Sequence, residues 1–289
     1  IELLVIDDDK RKDNNEVRKF INESDITFLC LPDAAAIEAV ALLDKDNKRT
    51  KIIDASTAHR TNPLWAYGFP ELSADLKNKI ETNQFIANPG CYASGFNSIV
   101  APLVKNGIIG SNFPVTCFAV SGYSGAGNKA IAQYEDPERE SELSSPRQYA
   151  LTQNHKHLKE MAAISGLERI PVFSPMICDY KCGMVVSIPL FTDMLSKKCS
   201  LKDIRDILAE HYEGKEIVKV RPVGFTENMI GANNFEGRDD MEIEVNGNDD
   251  RIVITSRFDN LGKGASGAAI QCMNLSLGID EYKSLVIGE

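Results

Sequence analysis

A cysteine at the start of an amphipathic helix is the first feature of this sequence that could perform chemistry. The stretch Asn88–Tyr92 reads Asn-Pro-Gly-Cys-Tyr, and the residues after Cys91 repeat at the spacing of one buried helical face, at Phe96, Ile99, Val100, Leu103 and Val104. The free backbone N–H groups of a helix N-terminus stabilise an anion, and a thiolate is the nucleophilic form of cysteine. We therefore predict that Cys91 is a nucleophile, with a buried structural cysteine as the alternative.

Two histidines separated by one residue form the second reactive group. His155 and His157 lie in the run His-Lys-His-Leu-Lys-Glu, which ends at Glu160 in a predicted helix. Residues i and i+2 of a helix point to different faces, so one histidine can face Cys91 while the other faces solvent. A Cys–His pair supports acyl transfer, in which the thiolate attacks a carbonyl and the imidazole moves protons. An exposed polar helix start is the alternative, because spacing alone does not bring these residues together.

Short apolar strands that alternate with helices predict an α/β domain with a doubly wound, Rossmann-like parallel sheet over residues 1–90. The expected strands are Leu3–Ile6, Ile26–Leu31 and Lys51–Asp54, and the expected helices are Asn14–Asn22 and Ala34–Leu43. Ligands of such sheets bind beyond the carboxyl ends of the strands. This rule makes Pro32 and Ser56 candidate nucleotide-binding residues.

From about residue 112 the pattern changes to longer strands of alternating polarity, which predicts an α+β catalytic and dimerisation domain. The strands are expected at Val115–Val120, Val172–Pro175, Gly183–Leu190, Ile217–Val220, Met241–Val245 and Ile252–Phe258, and the helices at 155–165, 200–213 and Ala265–Leu277. We expect residues 1–90 and 260–289 to form the nucleotide-binding domain and residues 91–259 to form the second domain.

Two glycine-rich loops adjoin these elements. Ser121–Gly127 follows a predicted strand, and Gly262–Gly267 opens the last helix. The backbone N–H groups of such loops can approach a phosphate or a nicotinamide ring, although glycine clusters more often form plain turns. Neither loop follows the G-x-G-x-x-G pattern after a first strand. The candidate cofactor contacts in them are Ser124, Gly125, Gly127, Gly262, Lys263 and Gly264.

Composition excludes several classes of partner. The chain has 289 residues, 43% of them hydrophobic, and a net charge of -10 with no basic run. Nucleic acid and membrane are therefore not expected as partners. The seven cysteines are odd in number and contain no C-x-x-C pair, which favours a reducing, cytoplasmic location and no metal site.

Six segments together resemble the N-acetyl-gamma-glutamyl-phosphate reductase family, and most closely its shorter, type 2 branch. They occur in the family's order across nearly the whole chain, at Asp54–Arg60, Trp65–Leu72, Asn88–Tyr92, Ser121–Gly127, His155–His157 and Asp259–Gly267. The family reduces an acyl phosphate with NADPH to an aldehyde in arginine biosynthesis. Its members begin with a strand and a G-x-x-G-x-x-G turn that holds the cofactor pyrophosphate, whereas this sequence opens on a run similar to their second strand. We expect upstream residues that complete the dinucleotide site.

The resemblance implies that Cys91 forms a thioester, which NADPH reduces. The proton donor implied by the family's first histidine is His155, with His157 or Glu160 in support. A homo-oligomer, either a dimer or a tetramer, is expected.

Substrate and cofactor contacts follow in the same way. Arg60 and Lys181 are candidates for the carboxylate or phosphate of the substrate, unless they are surface charges. Glu71 is the candidate for the acetamido end, and Asn260 for the nicotinamide half of the cofactor.

The choice between NADP and NAD depends on one charged run. Ile6 is followed by Asp7–Asp9, which favours NAD, and then by Lys10–Lys12, which offers cations for a 2′-phosphate. The basic trio and the resemblance favour NADP, and a solvated turn is the alternative.

Other functions remain as alternatives. One is a related acyl-phosphate reductase, either similar to aspartate-semialdehyde dehydrogenase or acting on a carrier-bound substrate of a lysine pathway. The others are a cofactor-free Cys–His acyl hydrolase and a non-catalytic interaction module.

Overall fold

The computed structural model describes residues 1–226 and 228–288, and the contacts within the chain divide it into two compact units. Unit 1 consists of residues 1–89 and 269–283, and unit 2 of residues 90–268 together with the terminal segment from Ser284. Residues 260–268, which the sequence placed with the nucleotide-binding domain, thus have their contacts in unit 2.

Unit 1 contains a parallel sheet, and an apolar cluster packs against each of its two faces. Its elements are α1 (Asn14–Glu23), β1 (Ile26–Leu29), α2 (Asp33–Ala41), β2 (Lys51–Asp54), β3 (Ala66–Tyr67), α3 (Ala74–Thr82) and β4 (Phe85–Ala87). The strand order is β1-β2-β4-β3, and each neighbouring pair is parallel. Adjacent residues of a strand point to opposite faces, and Ile52 packs with Ile21 and Ala36 while Ile53 packs with Ile80. The sheet is therefore covered on both faces, as the continuous apolar strands predict.

The predicted strand at Leu3–Ile6 is wrong. This segment has no strand partner among the described residues, and the side chains of Leu3 and Val5 are 81% and 67% exposed. An apolar run becomes a strand only where a neighbour supplies backbone hydrogen bonds, and the only described strand that pairs with β1 is β2. Residues 1–6 are consequently irregular, and a turn follows them.

Unit 2 is an α+β unit around one mixed sheet. Its described elements are α4 (Cys91–Lys105), β5 (Thr116–Gly122), α5 (Asn128–Tyr134), β6 (Arg147–Gln148), α6 (His157–Ser165), β7 (Val172–Cys178), β8 (Met184–Phe191), α7 (Leu201–His211), β9 (Val218–Val220), β10 (Met241–Gly247) and β11 (Arg251–Phe258). The strand order is β6-β7-β5-β8-β11-β10-β9. A wide π-type turn at Gly262–Ser266 leads into α8 (Gly267–Ser276), which runs on into the residues of unit 1.

The long helix α4 lies directly on the sheet because small residues line its contact face. A Cβ atom added at Gly95 would lie 2.6 Å from Cγ2 of Val186, and the Ser98 hydroxyl is 3.3 Å from that of Ser256. Pro102 sits inside the helix and has no N–H to donate to the carbonyl oxygen of Ser98. The buried Tyr212 hydroxyl donates to that oxygen instead, at 2.7 Å. A side chain after α7 thus replaces a missing helical hydrogen bond and supports the helix that begins at Cys91.

The opposite face of the unit 2 sheet carries exposed apolar side chains. Phe118 on β5, Val172 on β7, Phe191 on β8 and Val253 on β11 are 40–57% exposed. Within the described parts of the chain, no helix is both long and apolar enough to cross a membrane.

We predict that Tyr212→Phe lowers the free energy of unfolding by about 1–3 kcal/mol, because it leaves a buried carbonyl without its donor. Pro102→Ala restores a backbone N–H at that turn, so the same substitution in a Pro102→Ala background should cost less than about 1 kcal/mol. Urea denaturation of the four proteins measures both values. An equal loss in the two backgrounds would show that Tyr212 does not substitute for the missing donor.

Candidate active site

Cys91 is the first residue of α4, in the position that the Pro-Gly turn predicts. Gly90 is the N-cap residue of the helix and has no side-chain oxygen with which to cap it. The Cys91 side chain is half-buried. A thiolate there lies at the positive end of the helix dipole, and this position favours the reactive form of the sulfur.

A buried carboxylate ties α6 to this cap. Oε1 of Glu160 accepts a hydrogen bond from the Gly90 N–H at 2.8 Å, and Glu160 lies three residues after His157, the first residue of α6. Hydrogen bonds between a backbone N–H and a carboxylate are charge-assisted and stronger than neutral ones. Glu160 therefore fixes the residue that precedes the cysteine.

The two histidines differ in what their rings can do. Nδ1 of His155 accepts a hydrogen bond from the backbone N–H of His157 at 3.2 Å. Burial, and to a lesser extent the nearby Lys156 cation, lowers the pKa of His155 to about 4. At neutral pH this ring is uncharged, and because Nδ1 is an acceptor its proton is on Nε2. His155 can then donate a hydrogen bond through Nε2, but it cannot take up a proton at Nδ1 without losing the bond from His157.

Aromatic rings enclose the histidine pair. The ring of Tyr92, the residue after Cys91, lies 5.9 Å from that of His155 and 6.0 Å from that of His157. Tyr149 and Phe173 lie 5.8 and 5.2 Å from His155. Burial raises the pKa of Tyr149, and the proximity of Cys91 adds to the rise. Sequence reasoning missed these rings, although the position of Tyr92 directly after the cysteine was an available signal.

The second glycine-rich loop contacts the nucleophile. A Cβ atom added at Gly264 would lie 3.0 Å from the Cβ of Cys91. At Gly262 it would overlap the Arg238 carbonyl oxygen, and at Gly267 it would overlap the carboxylate of Asp239. These glycines are therefore required by close packing on protein atoms. Lys263 lies between Gly262 and Gly264 and is 1% exposed.

The first glycine-rich loop meets Asn260. The side-chain oxygen of Asn260 accepts from the Gly183 N–H at 2.9 Å, and its amide nitrogen donates to the Ser124 hydroxyl, also at 2.9 Å. A Cβ atom at Gly125 would lie 3.4 Å from the same amide, whereas Gly127, with φ of +84°, faces open space. The structure thus hydrogen-bonds Ser124 to Asn260 within unit 2, and Gly125 lies beside the Asn260 amide.

The predicted substrate-binding residues are engaged with protein groups. Lys181 pairs with Glu135 at 3.1 Å on the surface of unit 2. Within unit 1, the buried Arg60 donates to the carbonyl oxygens of Asn88 and Ala55.

Glu71 is likewise engaged within unit 1. Its buried carboxylate accepts from the Gln271 amide at 2.6 Å. The assignments of Arg60, Lys181 and Glu71 to substrate remain predictions, and each of the three has a structural partner in the free protein.

The predicted nucleotide residues of unit 1 lie at the carboxyl ends of β1 and β2. Pro32 precedes α2 and provides no side-chain cap. The N–H and hydroxyl of Thr57 both bond to Asp33, which joins the loop after β2 to the first turn of α2. The Ser56 hydroxyl and backbone N–H both donate to the Asp54 carboxylate, at 2.7 and 2.9 Å, so Ser56 is engaged with a protein group. The assignments of Pro32 and Ser56 to a nucleotide remain predictions.

No group of three or more His, Cys, Asp or Glu side chains in residues 1–226 and 228–288 is arranged to hold a metal ion.

We predict that Glu160→Ala lowers the free energy of unfolding by about 1.5–3 kcal/mol, the usual range for a hydrogen bond to a charged group. Glu160→Gln keeps an oxygen that can accept from the Gly90 N–H, so it should lose less than half as much. Chemical denaturation of the three proteins gives the comparison. If both variants lose the same stability, the charge matters and the bond to Gly90 does not.

Comparisons with known proteins identify the family of the chain. A family model described as "Semialdehyde dehydrogenase, dimerisation domain" matches residues 91–260. The chain is 42% identical, over 99% of its length, to N-acetyl-gamma-glutamyl-phosphate reductase 2 of Nostoc sp., of which it covers 91%. It is 42% identical over 96% of its length to the N-acetyl-gamma-glutamyl-phosphate reductase of Sinorhizobium medicae, again covering 91% of that protein.

Solved structures of similar fold include two aspartate semialdehyde dehydrogenases. The enzyme from Francisella tularensis has a TM-score of 0.68 at 16% identity, with 89% of this chain and 83% of that chain covered. The Vibrio cholerae enzyme II has a TM-score of 0.66 at 15% identity, with coverages of 89% and 81%. These structures confirm the α/β fold class, and the sequence relatives establish the family. The chain belongs to the N-acetyl-gamma-glutamyl-phosphate reductase family.

Proposed function

We propose that this protein reduces N-acetyl-gamma-glutamyl phosphate to N-acetyl-glutamate semialdehyde and phosphate, with NADPH as the reductant. The observation that carries this proposal is the position of Cys91 at the first residue of α4, in a chain that belongs to this reductase family. The enclosed histidine pair supports it, because acyl transfer through a thiol needs a partner that moves protons.

Cys91 performs the acyl transfer in this proposal. Its sulfur attacks the carbonyl carbon of the acyl phosphate, a C–S bond forms, and the C–O bond to phosphate breaks with its electrons leaving on the phosphate. The product is a thioester on Cys91. When the aldehyde leaves, the C–S bond breaks and its electrons return to the sulfur. The helix N-terminus stabilises the thiolate at both ends of this sequence.

Family membership implies a nicotinamide cofactor, and when bound its reduced form supplies the hydride that converts the thioester to the aldehyde. Pro32 and Ser56 in unit 1, and Ser124, Gly125 and Asn260 in unit 2, are the residues that we propose contact it. For NADP rather than NAD, we propose that Arg11 and Lys12 read the 2′-phosphate. Both cations lie in the exposed turn after Ile6, where Arg11 is 3.4 Å from Asp8.

The two histidines have different proposed roles. The sequence favoured His155 as the proton carrier, but the bond that its Nδ1 receives and its lowered pKa favour a neutral hydrogen-bond donor. We therefore propose that Nε2–H of His155 hydrogen-bonds to the reacting carbonyl oxygen, where negative charge develops. His157, buried at the first residue of α6, then takes the thiol proton as Cys91 attacks and passes it to the departing phosphate.

A homo-oligomer is also proposed. The family model that matches unit 2 is described as a dimerisation domain. The exposed apolar side chains on the helix-free face of the unit 2 sheet support a dimer that buries them.

The proposed function predicts phosphate-dependent reduction of NADP by N-acetyl-glutamate semialdehyde, the reverse reaction, followed at 340 nm by NADPH absorbance. Aspartate semialdehyde and NAD should each be much poorer substrates. Cys91→Ser should abolish turnover while circular dichroism shows an unchanged fold, and Cys117→Ser is a matched control because Cys117 is buried in the sheet. A preference for aspartate semialdehyde, or near-normal turnover by Cys91→Ser, would contradict the proposal.

The histidine roles predict different pH behaviour. His155→Asn should lower kcat by roughly 10²–10³-fold, as expected for a lost oxyanion donor, and by a constant factor above about pH 5, where the ring is already neutral. His157→Asn should lower kcat by roughly 10²–10⁴-fold and should change the shape of the pH–rate profile. If His155→Asn alone changed the shape of the pH–rate profile, His155 and not His157 would be the residue that carries the proton.

A further inference from the structure

An arginine lies on the same face of the unit 2 sheet as the histidine pair. The edge strand β6 pairs antiparallel with β7, with Arg147 opposite Ile177, and the Tyr149 N–H continues the ladder to the Pro175 carbonyl oxygen at 3.1 Å. Side chains alternate along a strand, so Arg147 and Tyr149 point to the same face. The ring of Tyr149 contacts His155 at 5.8 Å, which identifies this face as the catalytic one.

Arg147 has unused capacity to bind an anion. One terminal nitrogen donates to the Tyr134 hydroxyl at 2.9 Å, and the guanidinium carbon lies 5.4 Å from the centre of the Tyr134 ring. Nε is buried without a hydrogen-bond partner, and Arg147 forms no ion pair with any described carboxylate. Other half-buried or buried arginines of unit 2 do pair with carboxylates, at Arg139, Arg221, Arg238 and Arg257. A half-buried guanidinium without a counter-ion is unusual, since burying an unpaired charge is unfavourable.

The arginine opens onto a cavity. A space of about 530 Å³ is lined by seven residues, which include Arg147, Tyr149, Ile177 and the exposed Glu142. The cavity thus offers one cation, one phenol and an apolar side chain next to the ring that contacts His155. Glu142 disfavours an anion, but its side chain is free to turn to solvent.

We propose that Arg147 binds the free carboxylate of the substrate in this cavity. The inference rests on the proposed function, in which the substrate carries an activated carboxyl group at one end and an ionised carboxylate at the other. The guanidinium presents its donors in a planar fork that matches a carboxylate, and the Tyr134 bond and ring hold that fork in place. Arg147 would then select acyl phosphates that bear a second carboxylate.

The test pairs a change in the enzyme with a change in the substrate. Wild type and Arg147→Met are assayed with N-acetyl-glutamate semialdehyde and with its analogue in which a carboxamide replaces the carboxylate. The wild type should favour the carboxylate over the amide by roughly 10- to 100-fold in kcat/KM, chiefly through KM, as expected for a charge-assisted pair. Arg147→Met should lose this preference and treat the amide as the wild type does.

Two further variants keep the test decisive. Arg147→Gln retains an N–H that can donate to Tyr134 and should lose the preference equally, so it serves if Arg147→Met fails to fold. Arg205→Met removes a half-buried arginine of α7 that already pairs with Asp206, and it should keep the wild-type preference. A full preference for the carboxylate in either Arg147 variant would overturn the inference. A wild type that does not turn over N-acetyl-glutamate semialdehyde would instead contradict the proposed function.

Discussion

The hydrogen bond from the Gly90 N–H to the buried Glu160 carboxylate joins the cap of α4 to α6, the helix that begins at His157. Glu160 and His157 are three residues apart and lie on neighbouring turns of one helix face, so the anchor and the ring keep a fixed separation. Any displacement of α6 would therefore move the turn before Cys91 as well. The nucleophile and the imidazoles are positioned by one common contact.

Charge pairing distinguishes structural arginines from one that is available to a ligand. In the sheet of unit 2, burial alone would raise the pKa of Glu242, but bonds from Arg221 and Arg257 outweigh it and lower that pKa. These ions are satisfied within the protein. Among the described residues, the only partners of Arg147 are the hydroxyl and the ring of Tyr134. The same residue type thus supports the sheet at one end and leaves an anion site at the other.

Local sequence signals predicted the elements well, and contacts between distant segments could not be predicted. The Pro-Gly turn and the apolar spacing placed the start of α4 at Cys91, and the strand Lys51–Asp54 was predicted with its observed bounds. Leu3–Ile6 failed because strand formation depends on a partner that the run itself does not encode. The Asn260–Ser124 bond joins residues 136 positions apart, a pairing that no spacing rule reveals.

The chemistry of individual side chains could be predicted only in part from the sequence. Spacing identified His155 and His157 as a pair, but it could not show that Nδ1 of His155 is used by a backbone N–H. Arg147 lies on a strand too short for any periodicity to detect.

The packing of Gly262, Gly264 and Gly267 has a consequence for evolution and for library design. Each faces a different protein neighbour, so this loop should reject side chains even in a catalytically inactive background. If these glycines are invariant among related sequences, the cause would be close packing within the fold. Only the residues between them would then be informative about ligand preference.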